Sequence, residues 1–355
     1  MFNLFKKKKA NKPVKDEAYY RSYDAYEEEE DIYFEKRNNQ KARVFLVMGP
    51  TCSGKTKVSI EIAKKFNAEI INADKEQMYK HLNIGTAKVT KEEMKGIKHH
   101  LIDFLDLRSN YTVRDYQRDG RKILDELLDQ GKNVVVVGGS GLYIKALLFD
   151  YRFPEEDPEF YPECENFGNG YLKMKATQFE PFTEVHVNNR RRLERIFTRV
   201  FASKERIYNN CGKNLPLYDI DYVELCPERE ELYDRINKRV DKMFKSGLVE
   251  EVKKYKRYPK LKTIIGYKET LQYLKNEITL EECKTLIKRN TRHYAKRQMT
   301  WFRTQFMESA SYSVDYKHFN YTIERILRCL GPLNKKWVIK VMLFSIQTKE
   351  FFFCY

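Results

Sequence analysis

The sequence predicts an α/β fold in which helices cover both faces of a parallel sheet. Strand and helix patterns alternate from Arg43 to Gly139, and the strand patterns are continuous apolar runs such as VFLVM and VVVV. Such runs are typical of strands that are buried on both faces. Glycine-rich turns follow two of these strands. Because ligands of such sheets bind beyond the carboxyl ends of the strands, these turns are the first candidates for a site.

The individual elements follow from hydrophobic periodicity and from local stop signals. Strands are expected at Arg43–Gly49, Ala68–Asp74, Asn133–Gly141 and Asp221–Cys226, and helices at Thr56–Phe66, Thr112–Gly131, Asn188–Phe201, Arg229–Gly247 and Glu281–Phe306. Thr112 and Asp115 have the spacing of a capping box, and Gly131 is the stop signal of the same helix.

Changes in composition divide the chain into five segments. They are a disordered charged arm (1–41), a core (42–150), an inserted region (151–184) that is irregular or helical, the remainder of the core with basic helices (185–310) and a tail without an assigned structure (311–355). The inserted region is rich in proline and contains the turn-forming stretch NFGNGY. The last part of the core is expected to be helical.

Composition limits the partners and the compartment. The chain of 355 residues has a formal net charge of +16 and a pI near 9.3, which favours nucleic acid or an anionic membrane surface as a partner. The seven cysteines are scattered, without a CxxC pair, which argues against a zinc module and a disulfide framework. No stretch has the pattern of a signal peptide or a membrane span. We expect a cytoplasmic protein, without a membrane partner and monomeric.

The octet GPTCSGKT, Gly49–Thr56, carries the strongest chemical signal. It matches the GxxxxGK[ST] pattern of a P-loop, the Walker A motif found in many ATP-binding proteins, between a strand and a helix. Glycines allow backbone N–H groups to surround phosphate oxygens, Lys55 adds a positive charge, and the Thr56 hydroxyl is a candidate ligand of Mg²⁺. The fold is therefore predicted to be P-loop NTPase-like. The motif alone does not say which phosphates are bound, and Cys52 is interpreted as a small spacer.

Asp74 is the second candidate, because it follows the neighbouring strand. A carboxylate there can ligate Mg²⁺ through water, cap the next turn, or act as a general base. On position alone, capping and catalysis are equally well supported. The stretches GTAK (Gly85–Lys88) and VGGSGLY (Val137–Tyr143) are weaker signals, because an ordinary turn explains each of them.

Two basic segments are candidates for contact with nucleic acid. Arg190–Arg192 open one helix, and no acidic residue occurs between Cys283 and Met307. Lys284, Lys288, Arg292 and Lys296 recur at i, i+4 spacing, which predicts one positive ridge along a helix. A surface helix usually mixes both signs of charge. We interpret the ridge as a track for a phosphate backbone, and a solvated helix face is the alternative.

With these motifs assembled, the sequence resembles the tRNA dimethylallyltransferase family, in its bacterial type. The matching stretches run in family order from about Arg43 to Phe306 and include GPTCSGKT, INADKEQMYKHLNIGTAK, VVGGSGLYIKALL, HVNNRRRLERI, IIGYKE and RHYAKRQMTWFR. The loop by itself is generic, whereas GTAK, GGSGLY and YAKRQMTWFR in this order are specific. The zinc finger of eukaryotic relatives is absent.

The resemblance implies transfer of a dimethylallyl group from dimethylallyl diphosphate to the N6 amine of the adenosine on the 3′ side of the tRNA anticodon, with Mg²⁺. It implies catalytic roles for Asp74 as general base, Thr51 and Arg239. The diphosphate would be bound by Gly49, Pro50, Thr51, Cys52, Ser53, Gly54, Lys55 and Thr56. The tRNA would be bound by Asp74, Lys75, Glu76, Gln77, Ser140, Arg191, Arg192, Leu193, Glu194, Arg195, Gly266, Tyr267 and Lys268, together with the ridge.

Departures from the family pattern leave alternatives open. Lys75 follows Asp74 where the family has serine, and it either weakens Asp74 as a base or points outward; we favour the second. Ser140 stands where threonine is usual. The alternatives are a P-loop kinase of small molecules or nucleosides, a tRNA-binding homologue without activity, and an enzyme that prenylates free adenine nucleotides. The positive ridge argues against the last of these.

Overall fold

The structure is a computed structural model that describes residue 40 and residues 42–153, 162–179, 185–198, 215–306 and 309–331. The predicted arm at 1–41 lies almost wholly outside the described residues, as do 332–355. No helix in the described ranges is both long enough and apolar enough to cross a membrane.

A six-stranded sheet forms the centre of the molecule, in the order β3-β2-β4-β1-β5-β6. The strands are β1 (Val44–Met48), β2 (Glu69–Asn72), β3 (His99–His100), β4 (Val134–Gly138), β5 (Ile220–Pro227) and β6 (Ser311–Val314). Every neighbouring pair is parallel. β1 is central, with Val44 opposite Val134 on one side and Ile220 on the other. This confirms the predicted P-loop-like parallel sheet.

Eleven α-helices occur in the described ranges. They are α1 (Lys55–Lys65), α2 (Lys91–Met94), α3 (Val113–Asp129), α4 (Gly141–Leu148), α5 (Asn169–Phe179), α6 (Arg190–Thr198), α7 (Arg229–Lys245), α8 (Leu248–Tyr255), α9 (Tyr267–Leu274), α10 (Leu280–Gln305) and α11 (Phe319–Cys329). The predicted capping box at the start of α3 is present, since Thr112 accepts the N–H of Asp115 and Asp115 accepts the N–H of Thr112. α10 begins with another box, between Thr279 and Glu282.

Helices cover both faces of the sheet because β1 is apolar at every position. Val44, Leu46 and Met48 face one hydrophobic cluster, which includes side chains of α3, α4, α7 and α10. Phe45 and Val47 face a second cluster, formed with α1 and α11. Residues of both clusters are almost completely buried. The two layers hold the carboxyl ends of β1, β2 and β4 at one edge, where the site lies.

The chain leaves the core after α4 and rejoins it before β5 at one place. We call the segment between these points, residues 151–214, the excursion. The N–H of Asp150 donates to Leu215 O (3.0 Å), and the N–H of Leu217 donates to Leu148 O (2.9 Å). Its described part has a small hydrophobic cluster of its own, which includes Cys164, Leu172, Leu193 and Phe197. The sequence analysis placed α6 with the core, but Leu193 and Phe197 of α6 pack within this cluster, so α6 belongs with the excursion.

The sequence analysis assigned no structure beyond residue 310, whereas the structure extends the sheet there. β6 pairs with β5, with Glu224 opposite Ser311 and Pro227 opposite Val314. α11 then packs on α1 through Ile323 and Ile326, which are buried in the second cluster. This part of the predicted tail therefore belongs to the core, up to Gly331.

Candidate active site

The P-loop connects β1 to α1 in a conformation that its glycines allow. Gly49 and Gly54 have φ values of 148° and 97°, and Cys52 also has a positive φ of 66°. A Cβ on Gly49 would lie 2.8 Å from Leu225 O, and one on Gly54 would lie 2.3 Å from the ring of Phe319. The two positions therefore require glycine for space as well as for backbone conformation.

Lys55, the first residue of α1, has its ammonium group folded onto the loop. Its Nζ donates to Pro50 O at 2.7 Å. Burial lowers the pKa of Lys55 to about 8, and Asp74 and Cys52 oppose the effect while Arg239 adds to it. A bound anion would favour the charged form of Lys55 and raise its pKa again. A lowered pKa is therefore expected of a phosphate-binding lysine in the absence of its ligand.

Arg239 extends from α7 to the P-loop. It donates to Thr51 Oγ1 at 2.9 Å and to Cys52 Sγ at 3.5 Å, and also to Thr86 O at 3.4 Å. Its Nε is buried without a hydrogen-bond partner among the described residues. Arg239 thus brings a second cation to the loop, as predicted from the resemblance, and it retains a donor for a ligand.

The Ser53 side chain lies inside the loop. It is completely buried, and its Oγ has no hydrogen-bond partner in the described parts of the chain. A buried hydroxyl without a partner is costly unless a ligand or water satisfies it. Thr56, in contrast, is exposed in the first turn of α1.

Two side chains from distant segments hold the outer part of the loop. Arg235 Nε and the Tyr316 hydroxyl each donate to Cys52 O at 3.2 Å. The Arg235 guanidinium also lies 4.1 Å from the centre of the Tyr316 ring. The carbonyl of a residue with positive φ is therefore fixed by α7 and by the segment after β6. We call Arg235 and Tyr316 the carbonyl clamp.

Gln298 of α10 connects the P-loop to the end of β4. Its Oε1 accepts the N–H of Thr51 at 2.9 Å, and its Nε2 donates to Gly139 O at 2.9 Å. Sequence reasoning missed Gln298, Arg235 and Tyr316. Gln298 lies within the stretch YAKRQMTWFR, but its polar character gave no local signal of two contacts this far away along the chain.

Asp74 lies beyond the end of β2 and begins a short 3-10 helix, Lys75–Met78. Its Oδ1 accepts the N–H of Glu76 at 3.1 Å, and its own N–H donates to Asn72 Oδ1 at 3.0 Å. The predicted capping role is therefore confirmed. A carboxylate accepts up to about four hydrogen bonds, so capping leaves acceptor capacity for a proton from a substrate.

Lys75 pairs with Glu76, and its expected orientation away from Asp74 stays a prediction. Its Nζ lies 3.7 Å from Glu76 Oε1, and 43% of its side chain is exposed. Its backbone N–H donates to Ser140 Oγ at 3.1 Å, which gives Ser140 a structural role beside Asp74. Burial raises the pKa of Glu76, partly opposed by Lys75 and Lys260. Gln77 donates to Thr86 O at 3.3 Å, so its amide supports the GTAK turn.

A cavity of about 370 Å³ joins these elements. Its wall contains Thr51, Asp74, Glu76, Arg239, Gly266 and Lys268 from the predicted site, and Ile236, Val240, Met243, Ile264 and Ile287 provide an apolar side. Tyr294 and Arg297 of α10 complete it. One cavity therefore combines Thr51 of the P-loop, the Arg239 cation, two carboxylates and an apolar wall.

The GTAK turn is held by a carboxylate that sequence reasoning did not identify. Glu251 of α8 accepts the N–H groups of Asn83, Ile84 and Gly85 at 3.0–3.3 Å. It also accepts the Tyr267 hydroxyl at 2.5 Å. Tyr267 is completely buried. The predicted RNA contact by Tyr267 therefore needs correction, because its side chain does not reach the surface; Gly266 and Lys268 do line the cavity.

Two of the four cations of the predicted positive ridge on α10 are paired with carboxylates. Lys284 pairs with Glu281 at 2.6 Å and Lys288 with Asp241 of α7 at 2.7 Å. Arg292 donates to Asn237 at 2.7 Å, and Lys296 is exposed. The sequence showed no acidic residue within this part of α10, but the neighbouring helix supplies one. The ridge is therefore not the unbroken positive track that its spacing predicted.

Some of the α6 residues that were predicted to contact tRNA lie on the surface of the excursion, and others lie in its interior. Arg191, Arg192 and Arg195 are exposed on α6. Leu193 is completely buried in the small cluster, so its side chain cannot contact RNA, and this prediction is corrected. Glu194 forms an ion pair with Arg190. Arg190 also donates to Phe167 O and Cys164 O, which makes it a structural residue of the excursion.

Oxygen donors near the loop are compatible with Mg²⁺. In the described residues, no group of three or more His, Cys, Asp or Glu side chains could hold a metal by itself. Mg²⁺ in phosphate-binding proteins is commonly held by one or two protein oxygens together with substrate phosphates and water. The Thr56 hydroxyl at the start of α1 and the unpartnered Ser53 hydroxyl fit such a shared site.

Comparison with known proteins agrees with this geometry. The family model described as IPP transferase matches residues 77–305. A tRNA dimethylallyltransferase of Bacillus subtilis is 42% identical over 282 residues, which cover 76% of this chain and 90% of the relative. One from Thermoanaerobacter sp. is 38% identical over 82% of this chain and 99% of the relative.

Solved structures give the same answer for the fold. A tRNA isopentenylpyrophosphate transferase of Bacillus halodurans is 35% identical, with a TM-score of 0.62, over 84% of this chain and 99% of that chain. A eukaryotic dimethylallyltransferase acting on tRNA is 27% identical, with a TM-score of 0.67, over 77% and 74% of the two chains. The sequence relatives and the structural neighbours therefore agree, and the chain belongs to the IPP transferase family.

Proposed function

We propose that this protein transfers a dimethylallyl group from dimethylallyl diphosphate to the N6 amine of the adenosine that follows the anticodon of tRNA, with release of diphosphate. The observation that carries the proposal is the shared cavity. The same space is lined by Thr51 of the P-loop, Arg239 of α7 and the carboxylate of Asp74. An apolar wall that fits a five-carbon chain lies beside them.

Each group has a defined role in this reaction. The diphosphate would lie on the P-loop, where Lys55, Arg239 and the backbone N–H groups stabilise the negative charge that builds on the leaving oxygen. Mg²⁺, held by Thr56 and the diphosphate, would supply further charge neutralisation. The bond between C1 and the diphosphate oxygen breaks, and a bond between N6 and C1 forms.

The reaction needs a group that accepts a proton from the amine, and we assign this role to Asp74. An aromatic amine is a weak nucleophile, and its nitrogen must lose a proton when the new bond forms. The Asp74 carboxylate is the acceptor that lines the cavity beside Ser140 and Tyr294. Because the adenine must leave the anticodon stack to reach the cavity, an RNA substrate needs a surface that holds it around the flipped base.

The test is an incubation of the full chain with Mg²⁺, dimethylallyl diphosphate and unmodified tRNA, with AMP as a second acceptor. Nuclease digestion and mass spectrometry would detect the dimethylallyl adduct on adenosine. We expect the adduct on tRNA. An adduct on AMP alone would indicate an enzyme of free nucleotides, and ATP consumption that depends on an acceptor would indicate a kinase. Binding of tRNA without an adduct would indicate a homologue that has lost activity.

A further inference from the structure

A basic surface beside the cavity has no role in the site described above. In the stretch 252–268, which covers the second half of α8 and the following 3-10 helix Pro259–Thr263, there is no acidic residue. The stretch contains seven cations, and six of them lie before residue 263: Lys253, Lys254, Lys256, Arg257, Lys260 and Lys262. We call these six residues the basic strip.

Most of the strip is open to solvent and has no opposite charge beside it. Lys253, Lys254, Lys256, Arg257 and Lys262 are exposed. None of the six forms an ion pair with an acidic residue within the described ranges. Of the two carboxylates on α8, Glu251 is engaged with the turn at 83–85, and Glu250 forms no ion pair with the strip among the described residues. On the α10 ridge, in contrast, Lys284 and Lys288 are paired with carboxylates.

The side chains that contact the cations of the strip are, in the part of the chain that the structure describes, aromatic rings and not carboxylates. Arg257 lies 5.0 Å from the centre of the Tyr258 ring and Lys254 lies 5.4 Å from that of Tyr255. On the other side, His81 stacks on Tyr255 at 5.0 Å, and Arg108 lies 5.8 Å from the Tyr258 ring. Such contacts orient cations without cancelling their charge.

The strip is continuous with the cavity. Lys260 donates to the Tyr79 hydroxyl at 2.7 Å, and its charge acts on Glu76, which lines the cavity. The residues that follow the strip directly, Thr263–Gly266 and Lys268, form part of the cavity wall. A chain of phosphates on the strip would therefore lie next to the place where a base enters.

We propose that the basic strip binds the phosphate backbone of the tRNA substrate beside the modified adenosine. The inference rests on the proposed function and adds the surface that positions the RNA. Adjacent cations without acids repel one another, and a polyanion removes that repulsion and releases its own counterions. The strip then adds an electrostatic contact beside the cavity to the exposed cations of α10.

The experiment measures the affinity of the full chain for unmodified tRNA as a function of salt concentration. The test variant combines Lys253→Gln, Lys256→Gln and Lys262→Gln. The matched control combines Lys65→Gln, Lys122→Gln and Lys317→Gln, which are exposed lysines on α1, on α3 and after β6, so both variants lose the same charge. Thermal unfolding and the affinity for inorganic diphosphate would check that both variants are folded.

Each phosphate contact that is lost lowers the slope of log K against log[salt] by about 0.7–0.9. We expect the slope of the test variant to fall by about two and its affinity to fall about tenfold or more, with the control close to the wild type. Equal losses in both variants, or no loss in either, would overturn the proposal. Prenyl transfer measured on the same samples separates the two hypotheses. A test variant that transfers the prenyl group and binds tRNA like the wild type contradicts only the proposal for the strip. A wild type that binds through the strip but transfers nothing contradicts the proposed function alone.

Discussion

Asp74 performs two tasks with one side chain, and the tasks are separable by substitution. Its Oδ1 caps the 3-10 helix at Lys75–Met78, and under the proposed function the same carboxylate accepts a proton. An asparagine side chain also accepts the Glu76 N–H, because Asn and Asp are both good caps. Asparagine is not a base.

We therefore predict that Asp74→Asn lowers kcat for tRNA prenylation by about 10²–10⁴-fold with little change in Tm. Single-turnover kinetics and thermal unfolding would measure the two effects. Asp74→Ala is the comparison, because it removes the cap as well and costs about 1 kcal/mol of stability. A variant Asp74→Asn that retains most of its activity would contradict the role of general base.

A second prediction concerns Lys55 and pH. Burial places its pKa at about 8 in the free protein, so the ammonium group is charged below pH 8 and becomes neutral above it. Since an anion binds the charged form, the affinity for inorganic diphosphate should fall by up to about tenfold per pH unit above 8. Titration calorimetry from pH 7 to 9.5 would measure it.

Lys55→Arg is the control for the titration of diphosphate itself. The guanidinium stays charged throughout this range, so only effects of the ligand remain in that variant. Equal pH dependence in the wild type and Lys55→Arg would show that Lys55 does not titrate in this range.

At the scale of elements, the P-loop depends on segments far from it in sequence. The carbonyl clamp joins Cys52 to α7 and to the segment after β6. Gln298 joins the loop to the end of β4 through α10. The positive φ of Cys52 is thus held by tertiary contacts and not by the loop sequence alone.

We predict that Tyr316→Phe weakens the binding of inorganic diphosphate about fivefold, because it removes one of the two hydrogen bonds to Cys52 O, worth about 1 kcal/mol. Tyr321→Phe is the matched control, since Tyr321 lies in α11 and is 60% exposed. Calorimetry would compare the three proteins. Similar losses in both variants would mean that the clamp has no specific effect on the loop.

The sequence predicted the central elements because they carry strong local patterns. β1 and β4 are continuous apolar runs, and α3 and α10 have helical periodicity and a capping box. β6 is short and lies at the edge of the sheet with only Val314 buried, so its apolar signal is weak. α11 begins at Phe319, and its N-cap residue His318 forms no side-chain capping bond. These two elements exist because of what they pack against.

The site shows the same division between local and distant signals. The P-loop and Asp74 were predicted from their places after strands. Glu251 was not, because its partners lie at 83–85 and 267, and no local pattern links them. The pairing within the α10 ridge was not predicted for a related reason, since Asp241, the partner of Lys288, lies on another helix.

At the scale of the whole molecule, the excursion has a hydrophobic cluster that is separate from the two clusters of the core. The excursion buries its own apolar residues, and its ends meet at Asp150 and Leu215. The described part of the excursion also exposes Arg191 and Arg192 of α6. The sheet and the cavity are built without it.

We therefore predict that replacing residues 152–213 by a short Gly/Ser linker leaves a folded protein. Its Tm should lie within a few degrees of that of the full chain and its affinity for diphosphate should be unchanged, whereas tRNA affinity should fall about tenfold or more through lost phosphate contacts. Thermal unfolding, calorimetry and tRNA binding would measure these. A variant that does not fold would show that the core depends on the hydrophobic cluster of the excursion.

The contact of Phe319 with Gly54 and of Tyr316 with Cys52 has a consequence for biosynthesis. The P-loop leaves the ribosome early, but two of the residues that hold it, Tyr316 and Phe319, follow more than 250 positions later. Since translation adds about 5–20 residues per second, the loop spends many seconds without its support. A nascent chain that stops before β6 has the complete Walker A motif, yet its phosphate-binding loop has not been locked into shape.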